Sequence, residues 1–117
     1  MDLHLAIAIH HEWKTILLAA IINQQQLDTA TIAQDYSCEL GKWLHSDGQT
    51  QFGLLPGFAA CVTQHARFHT EAAKVATVIN TQKYPDAHAM MDTGTAYSNA
   101  SSALQNALLD LQAEAGP

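Results

Sequence analysis

Apolar residues recur every three or four positions along three long stretches of this chain, which is the spacing of one face of an α-helix. The first stretch covers about residues 3–24, with Asp2 as a plausible N-cap. Its apolar face comprises Leu3, Ile7, His10, Leu17 and Ile21. Apolar and polar residues never alternate over a long run, so the pattern predicts helices rather than strands.

The second stretch covers about residues 56–81, and Pro56 suits the first turn of a helix there. Its apolar stripe comprises Phe58, Cys61, Val62, His65, His69, Ala72, Ala76 and Ile79. The third stretch covers about residues 86–113, after Tyr84-Pro85. Its inner face comprises Ala87, Met90, Met91, Gly94, Tyr97, Ser101, Leu104, Leu108 and Leu111. We expect each stretch to form one long helix.

The segment between the first two helices is less regular. Residues 29–34 predict a short helix and residues 36–44 another, which Ser46-Asp47-Gly48 would end as a turn. Residues 49–55 are typical of a loop. The fold predicted for residues 1–117 is therefore a single all-α domain, an antiparallel bundle of three long helices and one or two short ones.

Charge is sparse and negative. Charged residues make up 14% of the 117 residues, and the formal net charge is −6. So acidic a chain is a poor partner for nucleic acid or for an anionic membrane surface. Because helix surfaces usually carry more charge, we expect another copy or a partner to cover part of this surface.

Several features favour a cytoplasmic location. The longest apolar run, residues 16–22, is shorter than the roughly 18 residues that a membrane span needs. Asp2 and His4 stand where a signal peptide would carry basic residues. Cys38 and Cys61 are too few for a disulfide framework, so we expect both thiols to be reduced.

The strongest chemical pattern is a pair of histidines, His65 and His69, on the apolar stripe of the second long helix. Residues four apart on a helix lie about 5–6 Å apart at Cβ, so both imidazoles can reach one metal ion. A histidine pair alone is common, but Cys38 and His10 would complete a tetrahedral zinc site. His10 lies on the apolar face of its helix, whereas His11 is rotated about 100° from it. Cys61, one turn before His65, is an alternative thiolate that we expect to be packing instead.

Three motifs carry a family resemblance: His10-His11-Glu12-Trp13, the segment Cys38-Glu39-Leu40-Gly41-Lys42-Trp43, and His65-Ala66-Arg67-Phe68-His69. In this order they resemble the chemoreceptor zinc-binding domain family, a bacterial sensory module. Gly94, Tyr97 and Ser101 also look like the last helix of the family. The resemblance implies that His10, Cys38, His65 and His69 hold Zn²⁺.

The resemblance also implies partners. Family members are usually dimeric and fused to chemoreceptors or diguanylate cyclases, so it predicts a homodimer that serves chemotaxis or diguanylate cyclase regulation. This sequence departs from the pattern of the family in two respects. Tyr36 replaces the histidine that is common after Asp35, at a position that is not a ligand. An output domain is missing from these 117 residues, so we expect either a stand-alone version or a piece excised from a larger protein.

The predicted function is a zinc-binding sensory or regulatory module that reports zinc availability or thiol oxidation through helix repacking. Four protein ligands would fill the coordination sphere of the zinc, whereas a catalytic zinc keeps one position open. The chain also lacks HExxH and Glu-x-x-His motifs, so we expect no enzyme. The alternatives are a helical redox protein that binds iron, and a bundle in which zinc is only structural.

Other residues receive supporting assignments. The candidate carboxylates to accept hydrogen bonds from the imidazole N–H groups are Glu12, Asp28, Asp35, Glu39 and Glu71, with Asp35 preferred because it lies one turn before Cys38. Trp13 and Trp43 are expected to shield the site from water. His4, His45 and His88 are expected at the surface, and Met90 and Met91 in the core.

Overall fold

The computed structural model describes residues 1–116, and every regular element within them is a helix. In chain order these are α1 (Leu3–Asn23), α2 (Thr29–Ala33), α3 (Glu39–Leu44), α4 (Asp47–Phe52), α5 (Phe58–Asn80), α6 (Tyr84–Ala89) and α7 (Ala96–Ala115). Three are long, namely α1, α5 and α7. The all-α class and the number of long helices are as predicted, but the described residues form four short helices, α2, α3, α4 and α6, where one or two were predicted.

The ends of the first helices follow local chemistry. Asp2 caps α1 as predicted, because its carboxylate accepts a hydrogen bond from the backbone N–H of Leu5 at 3.1 Å. Asp28 caps α2 in the same way through Thr31. Helix α1 ends at Asn23, and its C-cap, Gln24, adopts the left-handed conformation that often terminates helices.

Three boundary predictions are wrong. Residues 49–55 were expected as loop, yet Asp47–Phe52 form α4, because Gly48 lets this helix pack against the Trp43 ring. The helix expected at 36–44 begins only at Glu39, with Cys38 as its N-cap. Pro56 precedes α5, which begins at Phe58, rather than lying in its first turn.

The stretch 86–113 is two helices and not one. Helix α6 ends at Ala89, and α7 begins at Ala96 with Thr95 as its N-cap. Gly94, expected on an inner helical face, is exposed and has a φ of 89°, a value that glycine adopts without strain. Apolar periodicity runs across this break because both helices bury residues in the same core.

The core lies where α5 meets α7, α1 and α2. Phe68, Val75 and Ile79 of α5 are fully buried, as are Leu108 and Leu111 of α7 and Leu17 of α1. The ring centroid of Phe68 lies 5.7 Å from that of Tyr97. Met91 is buried and Met90 is half-buried, in agreement with the expected packing role of this pair.

Helix α1 is long and apolar enough to be compared with a membrane-spanning helix. An 18-residue window within Leu3–Asn23 has a mean hydropathy of 1.4. By length and composition alone this helix could therefore cross a membrane, whereas the apolar run at residues 16–22 was too short to predict a span. Core helices and signal sequences pass the same test. In the structure, Leu3, Ala6, Leu17 and Ala20 are buried against the other helices.

A candidate metal centre

One side-chain cluster lies at the junction of three helices. His10 comes from the middle of α1, Cys38 from the N-cap of α3, and His65 and His69 from successive turns of α5. One potential ligand atom from each residue lies within 4.8 Å of all the others. The structure thus brings together the four residues that the sequence singled out, from positions as far apart as 10 and 69.

The distances suit a single small cation. Four ligands arranged tetrahedrally around zinc, with bonds of about 2.0–2.3 Å, lie about 3.3–3.6 Å from one another. The Cys38 Sγ lies 3.2 Å from His65 Nε2, 3.6 Å from His69 Nε2 and 4.0 Å from His10 Nε2. The two Nε2 atoms of His65 and His69 are 3.0 Å apart. The donor set therefore has the right size for such an ion.

Backbone carbonyls orient two of the imidazoles. His10 Nδ1 donates to the carbonyl of Ala6 at 2.7 Å, and His69 Nδ1 donates to the carbonyl of Ile32 at 2.9 Å. Because a carbonyl only accepts, each Nδ1 carries a proton, and a neutral ring then presents a bare lone pair at Nε2. Both lone pairs face the Cys38 sulfur, where a cation would relieve their mutual repulsion.

Burial keeps these imidazoles neutral. It lowers the pKa of His10 and of His69, and it lowers the pKa of His65 to about 3, with the neighbouring His69 and His10 adding to the effect. The Nδ1 of His65 is buried and has no hydrogen-bond partner within residues 1–116. Neutral imidazoles are the form that binds a metal.

The sulfur is the outermost member of the cluster. Cys38 is half-buried, whereas His10, His65 and His69 are buried. Burial raises the pKa of the Cys38 thiol, an effect that the Gly41 N–H partly offsets by pointing at the sulfur from 3.4 Å. A metal ion that binds here would have to displace the thiol proton, so we expect metal affinity to rise with pH.

Aromatic rings cover the buried side of the cluster. The Phe68 ring centroid lies 5.4 Å from that of His10 and 5.7 Å from that of His69. The ring centroid of Trp13 lies 6.4 Å from that of His69, so Trp13 is near the cluster that it is predicted to shield. Trp43 contacts Phe52 and Gly48 instead, so the shielding role expected for it is not seen.

The expected carboxylate acceptors are not used. Asp35, the preferred one, approaches His45 at 3.4 Å, while Asp28 caps α2. Glu39 and Glu71 pair with lysines three residues along. Within residues 1–116, neither these four nor Glu12 hydrogen-bonds an imidazole of the cluster. The carbonyls of Ala6 and Ile32 take that role, and a backbone acceptor leaves no side-chain signal in a sequence.

The two alternative ligands, His11 and Cys61, have hydrogen-bond partners outside the cluster. His11 is exposed, and its Nε2 pairs with the Gln105 side chain at 2.7 Å. Cys61 donates its S–H to the carbonyl of Ala107 at 3.1 Å, and burial raises its pKa to about 11. The sequence-based preference for His10 over His11, and for packing at Cys61, agrees with these positions. His4, His45 and His88 are exposed as expected.

The helices and the cluster together define a small all-α protein with a three-histidine, one-cysteine candidate metal site. A family model, described as the chemoreceptor zinc-binding domain, matches residues 10–76. The chain belongs to this family, and all four cluster residues lie within the match. Gly94, Tyr97 and Ser101 lie beyond it, so their likeness to the family stays a prediction. No curated protein and no solved structure matches the chain significantly.

Proposed function

We propose that this chain is a zinc-binding sensory or regulatory module, with His10, Cys38, His65 and His69 as the ligands. The observation that carries the proposal is the convergence of three imidazoles and one sulfur, with ligand atoms within 4.8 Å of one another. Three nitrogen donors and one thiol suit zinc, and the set has no carboxylate, which hard cations prefer. A bound Zn²⁺ would supply the charge that ties α1, α3 and α5 together.

Signalling would follow from this metal-mediated link between the helices. Loss of the ion, or oxidation of Cys38, removes a link between α3 and the two long helices, so α3 can move relative to them. We propose that this repacking passes to a chemoreceptor-type or diguanylate cyclase-type output. The partly exposed sulfur supports the redox input, because an oxidant would reach it before the buried imidazoles.

We further propose a cytoplasmic homodimer in which the three long helices form an antiparallel bundle. The bundle is supported by contacts between the start of α5 and the end of α7, where Gly57 N–H donates to the Glu114 carboxylate at 2.7 Å. The dimer is supported by large apolar side chains left exposed on the second half of α1, Ile16 and Ile22. Sedimentation velocity would test it.

Metal analysis of the purified protein tests the ligand set. We expect one zinc per chain and no coloured iron, and an at least tenfold lower affinity after His10→Gln, Cys38→Ser, His65→Gln or His69→Gln. The matched controls are His11→Gln and Cys61→Ser, which should retain full metal content. Stoichiometric iron, or retention of zinc by the four ligand variants, would refute the proposal.

Chelation separates sensing from a purely structural role. If zinc is a signal, its removal should leave most of the helical circular dichroism intact while hydrogen exchange accelerates in residues 35–45. If zinc only stabilises the fold, the helical signal should disappear with the metal.

A further inference from the structure

A hollow of about 240 Å³ opens between the first turns of α1 and the start of α3. Met1, Leu5 and Ile9 from the start of the chain and Leu40 of α3 line it, together with Cys38 and His10 of the metal cluster. The hollow therefore reaches from solvent to two members of the metal cluster. Apart from Cys38 and His10, its lining residues belong neither to the ligand set nor to the aromatic rings that cover the buried side of the cluster.

The lining of the hollow is mostly apolar. Leu5 and Ile9 are 56% and 41% exposed, which is unusual for such large apolar side chains. Glu39 is the one charged side chain among the lining residues, and its carboxylate lies 3.5 Å from Lys42 Nζ in solvent. Met1 also carries the α-amino group of the chain. The remaining polar groups are the Cys38 sulfur and the His10 ring. An occupant thus gains mainly from contact with apolar side chains.

The size of the hollow limits the occupant. An apolar cavity of about 150 Å³ stays free of water and accepts a benzene molecule. At about 240 Å³, this hollow has room for one aromatic ring with a short aliphatic chain. A lipid chain or a peptide helix would extend well beyond it.

We infer that the hollow between α1 and α3 binds a small uncharged apolar molecule, of the size of a monoalkylbenzene, against Cys38 and His10. The occupant covers the side from which solvent and reagents reach the sulfur. Occupancy therefore slows both zinc exchange and thiol modification. Binding needs no metal, whereas the effect on zinc depends on the metal site proposed above.

Titration with toluene and n-propylbenzene, followed by methyl NMR, tests binding. The methyl signals of Leu5, Ile9 and Leu40 should shift, while those of Ile79 and Leu111, buried elsewhere in the core, should not. The two extra methylene groups of n-propylbenzene should tighten binding about tenfold. The charged analogue phenylacetate should bind more weakly than toluene, because its carboxylate would lose water against the apolar side chains. If saturating n-propylbenzene leaves these methyl signals unchanged, or phenylacetate binds equally well, the inference is wrong.

Substitutions locate the site. Ile9→Glu and Leu5→Glu each place a charge in the hollow and should weaken n-propylbenzene binding at least tenfold. The matched control is Leu109→Glu, a similarly exposed apolar residue of α7 outside the hollow, which should bind as the wild type does. Circular dichroism verifies that each variant is folded. Because two positions are substituted, the test still holds if one of the variants does not fold.

A second copy is the competing occupant. If sedimentation shows a dimer that Ile9→Glu dissociates, and the wild type binds n-propylbenzene only after dissociation, the hollow is an interface and the inference is overturned.

The effect on the metal is measured separately. Saturating n-propylbenzene should slow transfer of zinc to a colorimetric chelator severalfold, and it should do nothing in Ile9→Glu. Binding to zinc-free His69→Gln, a cluster residue that does not line the hollow, distinguishes the two proposals. If this variant binds the probe while the wild type binds no zinc, the hollow stands and the proposed function fails. If the wild type holds zinc but no probe binds, the proposed function stands and the inference about the hollow fails.

Discussion

Gly41 of α3 packs directly on the backbone carbonyl of Asp35, so closely that a Cβ on Gly41 would overlap the carbonyl oxygen. The same imagined Cβ would lie 3.1 Å from Cε1 of His65. The segment that carries Cys38 is thus folded tightly against itself and against one histidine of the cluster. This close approach sets where the sulfur lies relative to the imidazoles.

Replacing Gly41 by alanine should therefore damage the metal site. The methyl group meets backbone that cannot rotate away, so α3 must shift and carry Cys38 with it. We expect zinc affinity to fall at least tenfold and the free energy of unfolding to fall by about 1–3 kcal/mol, the range for overpacking. Competition with a zinc chelator and urea titration measure the two effects.

Gly57→Ala is the control for this substitution. Its Cβ would meet the carboxylate of Glu114, which is the far end of a flexible side chain. It should change stability less and leave zinc affinity unaltered. Equal loss of zinc in both variants would show that the close approach at Gly41 has no special role.

The two cysteines should differ in reactivity. Cys38 is half-buried, whereas Cys61 is fully buried, bonds the Ala107 carbonyl and has a pKa of about 11. Since the thiolate is the reactive form, iodoacetamide at pH 8 should modify Cys38 of the metal-free protein at least ten times faster. Peptide mass spectrometry identifies the labelled residue. Added zinc should protect Cys38, and Cys38→Ser should remain unlabelled; rapid labelling of Cys61 in the folded protein would contradict this picture.

Asn80 should stabilise the connection between α1 and α2. Its side-chain amide accepts from the N–H of Leu27 and donates to the carbonyl of Leu27, both at 2.8 Å. Asn80→Ala leaves both half-buried backbone groups without this partner, so we expect unfolding to become easier by about 1–3 kcal/mol. Urea denaturation measures the change. Asn99→Ala, at an exposed helical position, is the control and should cost nothing.

Tyr97 should contribute to alkaline unfolding. Burial raises its pKa to about 12, whereas an ordinary tyrosine titrates near 10. Between about pH 10 and pH 12 the unfolded chain loses this proton while the folded chain keeps it, so the tyrosine lowers stability as pH rises. Its share is at most about 1.4 kcal/mol per pH unit.

Tyr97→Phe tests this contribution. Urea titrations at pH 9 to 12 should show a shallower loss of stability in this variant than in the wild type. Tyr36→Phe removes a hydroxyl from an exposed ring and should follow the wild-type profile. Identical slopes in all three proteins would exclude a role for Tyr97.

The sequence was a better guide to helices than to their ends. Periodicity found α1 and α5 because each buries a continuous stripe on a long helix. It merged α6 with α7 because the residues on both sides of Gly94 face one core, and periodicity does not register a change of direction. It missed α4, a helix of 6 residues whose one buried member is a glycine, which adds nothing to an apolar pattern.

What the sequence determined by itself is the chemistry of the candidate site: two histidines one helical turn apart, a third on the apolar face of α1, and a cysteine three residues before a glycine that permits close packing. Tertiary structure decided the rest. It brought the four donors within 4.8 Å of one another and left the sulfur as the outermost donor. It also chose the carbonyls of Ala6 and Ile32, rather than Asp35, as the imidazole partners. The reason is physical: side-chain chemistry is encoded locally, whereas the partner of a buried N–H is whichever acceptor the packed backbone brings to it.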